Sequence, residues 1–573
     1  MCQWYAFRWT ILQLERMMNY WLLVLTLPLT LIAEDNLETQ YARYFEAETR
    51  MLTERCLADI GSRSDWEARS ETYRQQLQHM LGLDPLPERS ALNPVITGRL
   101  ERGDIVVENL HIQSRPGLYV TGNLFRPREL SEKLPAILYL CGHGRMVKDG
   151  VSYGNKTSYQ HHGAWFARNG YVCLIIDTIQ LGELQGKHHG TYKHKMWWWN
   201  TRGYTPAGVE TWNGMRAIDY LQSRPEVDGE RIGITGRSGG GAYSWWIAAL
   251  DKRVKCAVPV AGITSLKNHV VDGCIEGHCD CMYMVNSHRW DFAQVAALVA
   301  PRPVLISNTD KDRIFPLDGV FDVYRKTRRI YQLLDAENHI GLHITEGPHR
   351  DSQELRIHAF RWMNRWLKND DSPVTIPAEK LFTPEELKVF DTLPEDEITT
   401  KIHYSFVARD QGKDVKPAEC AELLKRACFR GWEMNGDAQH PLHLVEALQV
   451  EGHTVRITPL ETFTRGLDNR YLTHLRRRHA LVGQSLDGVY LSRIIQQLAE
   501  QVKQHPVQLE ADGPTAIAAL LATLYVPGVQ RVTITDIPSS LDDGPEYLNL
   551  SRYIRLEQLK AFVAARTELV ITP

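Results

Sequence analysis

The residues best suited to chemistry in this chain are Gly236-Arg237-Ser238-Gly239-Gly240, a G-x-S-x-G pentapeptide. The apolar run Arg231–Thr235 ahead of it predicts a buried strand, and Gly241–Leu250 behind it predicts a packed helix. A serine at such a strand–turn–helix corner projects its hydroxyl from a tight turn that small flanking residues permit. The pentapeptide also arises by chance in glycine-containing chains, so its surroundings must carry the reading. A serine hydroxyl is a weak nucleophile at neutral pH and needs a histidine base oriented by a carboxylate. On a doubly wound sheet these belong on loops after later strands, in the order serine, acid, histidine. Both loops are present. Thr309-Asp310-Lys311-Asp312-Arg313-Ile314-Phe315-Pro316 follows a strand expected at Val304–Asn308, and Glu346-Gly347-Pro348-His349 follows one expected at Leu342–Thr345. Ser238 is therefore expected as nucleophile and His349 as base, since His339 and His343 fall before and inside that last strand. Asp312 is favoured over Asp310 as the acid because its spacing to Pro316 fits a D-x-x-x-P loop, with Asp310 capping the turn. The developing oxyanion needs backbone donors, and Gly239 supplies one. The other is expected from His143 or Gly144 in the glycine-flanked turn Cys141-Gly142-His143-Gly144-Arg145. No metal ion or organic cofactor is required for this chemistry.

The elements that must position these residues alternate. Short apolar runs at Ala136–Leu140, Val172–Asp177, Ile232–Thr235, Val254–Val260, Val304–Asn308 and Leu342–Thr345 are separated by helical segments that include Thr211–Ser223 and Trp290–Val299. Near-continuous apolar strands between helices predict a mostly parallel sheet covered on both faces. Gln353–Lys368 closes the unit, with Leu355, Ala359, Trp362 and Trp366 on one stripe. Ahead of the alternating region, residues 34–95 read as helical, including a helix over Asp65–Leu81. Two strands around Ile105–His111 and Leu118–Phe125 follow, joined at Arg115-Pro116-Gly117. Residues 371–400, rich in Pro, Asp and Glu, read as a linker.

The remainder, 401–573, repeats part of the first unit. Phe292–Ile306 aligns without a gap on Leu556–Val570, matching Gln294 with Gln558, Ala297 with Ala561, Arg302 with Arg566 and Leu305 with Leu569. Arg216–Val260 lies against Arg493–Thr535, and there Ser238 meets Gly513. The second copy is thus expected to be partial and without a nucleophile.

Length and composition set the outer limits. The 573 residues allow two to four domains. A formal net charge of −3 gives no general attraction to nucleic acid or to an anionic membrane. Fourteen mostly apolar residues, Tyr20–Ala33, preceded by Arg8 and Arg16, are too few for an ordinary span but suit a signal-peptide core. Residues 1–33 are accordingly expected to direct export, leaving no stable membrane span after cleavage; the alternative is a buried helix. Of the 10 cysteines, Cys141, Cys173 and Cys256 sit in strand-like runs as small hydrophobes. Cys274, Cys279 and Cys281, with His278 among them, are denser. Their C-x4-C-x-C spacing is not a familiar zinc pattern, so a packed loop is expected, ahead of a loop disulfide, and no metal site.

Taken together, Gly142-His143-Gly144, the Ser238 pentapeptide, the Asp312 loop and Gly347-Pro348-His349 resemble the α/β-hydrolase superfamily over roughly residues 96–370. Within it the chain looks like exported bacterial hydrolases of the acetylxylan esterase and related carbohydrate esterase kind. Arg237 departs from the Cys, His or Glu found before the serine in some branches. The resemblance implies a Ser-His-Asp esterase that removes a small acyl group, acetyl foremost, from a small-molecule or polysaccharide ester. The alternatives are a serine peptidase, a glucuronoyl esterase, or a non-catalytic carbohydrate-binding protein. Trp197, Trp198 and His188, in the loop Asp177–Tyr204, are candidate sugar contacts, against the competing reading that they pack. Lys267–Arg289 is the candidate cap over the site.

Overall fold

The computed structural model describes residues 36–409, 414–433 and 439–573. The candidate leader lies outside them, and among the described residues no helix is long and apolar enough to cross a membrane.

The strands expected from apolar runs are there. β1 (Val95–Arg102), β2 (Ile105–Arg115), β3 (Leu118–Pro127), β4 (Leu134–Leu140), β5 (Val172–Ile176), β6 (Val227–Arg237), β7 (Val254–Val260), β8 (Val304–Thr309) and β9 (Ile340–Thr345) form one sheet in the order β1-β2-β3-β5-β4-β6-β7-β8-β9. β1, β2 and β3 pair antiparallel, and β3 pairs antiparallel with β5; every later pairing is parallel. β5 is buried at every position, as a strand sandwiched between helices must be. β1 was not legible because its sequence, VITGRLER, is largely exposed at the sheet edge and carries no apolar alternation.

Helices cover both faces. α1 (Leu37–Arg55) and α2 (Arg63–Met80) precede the sheet, and α2 starts at a capping box formed by Ser62 and Asp65. α3 (Gln160–Arg168), α4 (Pro206–Ser223), α5 (Gly239–Leu250), α6 (Leu317–Leu333) and α7 (Gln353–Lys368) follow in turn. α4 begins at Pro206, earlier than the expected Thr211, because Thr205 caps it and proline suits the first turn. α5 is buried at all twelve positions.

The expected linker is not one. Within 371–400, Phe382, Leu387, Val389 and Phe390 are buried. Glu183 accepts the N–H groups of Val389 and Phe390 at 2.8 Å each, and Asn109 donates to the carbonyls of Glu386 and Lys388. The segment is a strap across the antiparallel edge. Its Pro and acidic content reflects a lack of regular structure, and its scattered apolar residues do the anchoring.

Residues 417–573 form a second sheet from β10 (Leu448–Glu451), β11 (Thr454–Ile457), β12 (Val507–Asp512), β13 (Val529–Thr535) and β14 (Glu568–Thr572), in that order. β11 through β14 are parallel, and only the β10–β11 hairpin is antiparallel. Around them lie α8 (Asn469–Leu481), α9 (Leu486–Gln504), α10 (Thr515–Tyr525) and α11 (Leu556–Ala564). The run β12-α10-β13-α11-β14 matches β6-α5-β7, the helix Phe292–Ala297, and β8. Gly513 turns the corner at φ 51°, where Ser238 has φ 60°. The Ser238 N–H donates to Val260 O at 2.9 Å, and the Gly513 N–H to Thr535 O at 3.0 Å. Arg302 and Arg566 each donate to a carbonyl near the end of the helix that follows the corner, Ala248 on α5 and Leu524 on α10.

The two units share a buried polar seam. Arg552, fully buried, donates to His79 O at 2.9 Å and Asp84 O at 2.8 Å. Arg477 donates to Ile275 O at 2.8 Å and His278 O at 2.7 Å, and Arg289 pairs with Glu48 while donating to Val482 O at 2.9 Å.

Candidate active site

Ser238 sits between β6 and α5 with φ 60° and ψ −118°, a backbone conformation that a non-glycine residue rarely holds. The surrounding glycines explain how it is held. A Cβ at Gly236 would lie 2.4 Å from Leu140 O, one at Gly240 would lie 2.0 Å from the same atom, and one at Gly241 2.4 Å from Val260 O. Three backbones meet here, and none leaves room for a side chain.

The parallel strands deliver the partners to the same end of the sheet. His349 Nε2 lies 3.0 Å from Ser238 Oγ, and His349 Nδ1 lies 2.6 Å from Asp312 Oδ2. Asp312 is buried, and its other oxygen accepts the N–H groups of Ile314 at 3.0 Å and Phe315 at 3.1 Å. Asp310 faces elsewhere: its Oδ1 accepts the Gly347 N–H at 2.8 Å, holding the histidine loop against the acid loop. His339 lies against Pro301 O and His343 stacks on His358, so neither approaches Ser238.

A further clamp had no sequence signal. Asp351 accepts from His161 Nε2 at 2.9 Å, His162 Nε2 at 3.2 Å and Arg356 Nη2 at 3.0 Å. Burial alone would raise the Asp351 carboxyl, but His162, His161 and Arg356 hold it well below the usual carboxylate range. This fixes the chain just after His349. His161 and His162 are adjacent in sequence, but Asp351 is 189 residues or more away along the chain.

Gly239 begins α5, so its N–H points out of the helix N-terminus, where partial positive charge favours an anion. The Cys141–Arg145 turn lies against it: a Cβ at Gly142 would stand 3.4 Å from Ser238 Cβ, and one at Gly239 would strike the His143 ring at 2.6 Å. Among the described residues no carbonyl takes the N–H of Gly239, His143 or Gly144. The turn's other side is tied down by Asn155, which donates to Gly142 O at 2.8 Å.

These groups open into a cavity of about 410 Å³ lined by Ser238, His349, Arg237, Tyr159, His143 and Gly144 on the sheet side, and by His188, His189, Gly277, His278, Cys279, Met282 and Ile314 above them. Gly277–Met282 belongs to the segment expected as a cap. Burial pushes His143 down to about 3 and His278 down to about 4, so both rings are neutral near pH 7. His278 Nε2 is also 2.9 Å from Ile314 O.

The aromatic expectation divides. His188 reaches the cavity, whereas Trp197 and Trp198 do not. Trp198 stacks on Tyr404 with ring centroids 5.3 Å apart, under Arg202, and Trp197 lies under Arg476 of the second unit. Their apolar bulk and π-faces serve the seam between units. The cysteine loop also differs from the packed loop expected: Cys279 and Cys281 form a disulfide, while Cys274 is a free buried thiol.

A serine on a left-handed corner after β6, an acid loop after β8 and a histidine loop after β9, on a sheet of this order, decide the architecture. It is an α/β-hydrolase fold. Residues 117–281 of this hydrolase fold match the model of the X-Pro dipeptidyl-peptidase (S15) family. The chain is 26% identical over 304 residues to "Putative hydrolase YtaP" of Bacillus subtilis (strain 168), covering 51% of this chain and 98% of that protein. It is 26% identical over 163 residues to "Uncharacterized peptidase YuxL" of the same organism, covering 28% of this chain and 22% of that one. Among solved structures it is similar to methylesterase BT1017, with 21% identity, a TM-score of 0.44, and coverage of 63% of this chain and 77% of that chain. A glucuronoyl esterase from Solibacter usitatus gives 16% identity, a TM-score of 0.42, and coverage of 53% and 94%. The chain is a hydrolase.

Proposed function

We propose that the chain is a carboxylic ester hydrolase that removes a small acyl group, acetyl foremost, from a carbohydrate. The observation that carries this reading is the hydrogen-bonded line Ser238–His349–Asp312 at the floor of a polar cavity. His349 Nε2 takes the proton of Ser238 Oγ as the oxygen attacks the ester carbonyl. Asp312 keeps the imidazole turned with Nδ1–H toward itself and stabilises the imidazolium that forms. The oxyanion is received by the Gly239 N–H and by a donor of the His143-Gly144 turn. The protonated His349 gives its proton to the departing sugar alcohol. It then activates the water that releases the acyl group from Ser238.

The lining argues for an ester of a hydroxylated substrate. Arg237, Tyr159, His189 and His278 offer hydrogen bonds, and the apolar side chains are Met282 and Ile314. That leaves little greasy surface for a long acyl chain. A dipeptidyl-peptidase must hold a free ammonium, which calls for a carboxylate, and none lines the cavity. The cationic Arg237 would disfavour that substrate further. Export and the natural glycan belong to the same proposal.

The test is hydrolysis of p-nitrophenyl acetate and acetylated xylan by the purified chain and by Ser238→Ala. The expected result is turnover of both esters by the wild type and a loss on the order of 10³-fold or more in the variant. Equal turnover by both proteins would remove the nucleophile. Activity on the aryl ester alone would remove the glycan.

A further inference from the structure

Beside the nucleophile, four soft or borderline donors converge that the ester chemistry does not use. His143, His188, Cys279 and Cys281 each place one ligand atom within 4.8 Å of the others. His143 Nε2 is 3.2 Å from the sulfurs of both cysteines. The His143 and His188 rings run nearly parallel, 13° apart, with centroids 5.4 Å apart. His188 Nε2 is buried and has no hydrogen-bond partner among the described residues. We propose that, with Cys279 and Cys281 reduced, these four side chains form a four-coordinate zinc site.

The geometry and donor set fit that ion. Zinc bonds of about 2.3 Å to sulfur and 2.0–2.1 Å to nitrogen in a tetrahedron need donors roughly 3.3–3.8 Å apart. The two His143–sulfur distances already lie near this spacing, and the His188 nitrogen within 4.8 Å and the two sulfurs, once unbonded, have only short moves to make. Two thiolates with two neutral imidazoles select zinc over magnesium or calcium.

Outer contacts hold the donors in place. Asp280, between the two cysteines, accepts the Thr191 N–H at 2.9 Å and the Thr191 hydroxyl. That contact locks the cysteine loop to the segment carrying His188, and Arg477 fixes the same loop from the second unit. His189 has φ 62°, a turn that sets the direction of its neighbour. The sequence hid this site because His143 and His188 come from loops after β4 and β5, far from the C-x-C pair.

Entry to the site requires reduction. A dithiol gives two electrons and two protons to the Cys279–Cys281 bond, leaving two thiols and an oxidised dithiol. Zinc binding then releases the two thiol protons, and ester hydrolysis is not needed for either step. The inference is independent of the substrate proposed above, although it removes His188 from the sugar contacts.

Cobalt(II) provides the probe. The full chain is reduced with dithiothreitol, freed of reductant without oxygen, checked by mass for free Cys279 and Cys281, and titrated with cobalt(II). The expected result is one cobalt per chain, with the visible bands of a tetrahedral thiolate site that zinc bleaches. Oxidised wild type, C279S/C281S and His188→Ala should lack the bands, and Cys274→Ser should keep them. Circular dichroism confirms that each protein is folded. Reduced, folded wild type without the bands, or equal bands in C279S/C281S, would overturn the proposal.

Discussion

Asp310 and Asp312 are two residues apart, and their hydrogen bonds separate their roles. Asp312 meets His349 Nδ1, while Asp310 caps the Gly347 N–H. Asp312→Asn should therefore lower kcat by on the order of 10³–10⁴-fold, because an amide no longer selects the productive tautomer. Asp310→Asn retains a carbonyl acceptor for the Gly347 N–H and should cost less than about tenfold. Paired kinetics on an aryl acetate check this, and equal losses would contradict the assignment. Gly240 makes a second residue-scale prediction. A Cβ there meets Leu140 O at 2.0 Å, so Gly240→Ala should cost at least ~1–3 kcal/mol in urea unfolding. The order Ser238, Asp312, His349 was legible in the sequence because strand ends and turn glycines mark those loops. The Asp351 clamp and the His143–His188 approach were not, because each joins residues that only the folded sheet brings together.

At the scale of elements, the cap over the cavity is held from outside its own unit. Arg477, on α8, donates to Ile275 O and His278 O, the backbone on either side of cavity-lining Gly277. Arg477→Met keeps much of the packing but removes the donor that ties those two carbonyls to α8. It should lower kcat/KM by about tenfold to a hundredfold through misplacement of the cap. Unchanged kcat/KM in a folded variant would show that the cap needs no such support. The strands buried on both faces were readable as continuous apolar runs. The edge strand β1 and the strap over 371–400 were not, since both are held by backbone pairing and a few isolated apolar anchors.

For the whole molecule, the seam between the two units is polar and buried, which makes the units dependent on each other. Removing Arg552 would take a charged donor from the carbonyls of His79 and Asp84 in this buried seam, at a cost of about 1–3 kcal/mol. A chain ending near Asp371 should lose the second sheet's cover and precipitate; a soluble, fully active truncation would contradict this. The seam should also be sensitive to acid. Burial first, then nearby Arg430 and Arg552, pushes His288 down to about 3, and burial with Arg476 and Arg478 pushes His479 down to about 3, each from an ordinary 6.5. Such groups are neutral in both states above pH 6.5. Below it the unfolded chain takes up protons that the folded chain refuses, so stability falls as pH drops from 6.5 toward 3. Thermal melts between about pH 7 and pH 5 should show a falling Tm, and a flat or rising Tm would contradict the linkage. The repeat that aligned Ser238 with Gly513 was visible in the sequence. The structure adds that Gly513 has φ 51° where Ser238 has φ 60°.

The most direct test of the account is the site of covalent capture. A fluorophosphonate should label the full chain once, with the adduct mapped by peptide mass to Ser238. Labelling should vanish in Ser238→Ala and slow strongly in His349→Ala. Absence of an adduct on the folded wild type, or an adduct mapped to another residue, would contradict Ser238 as the nucleophile.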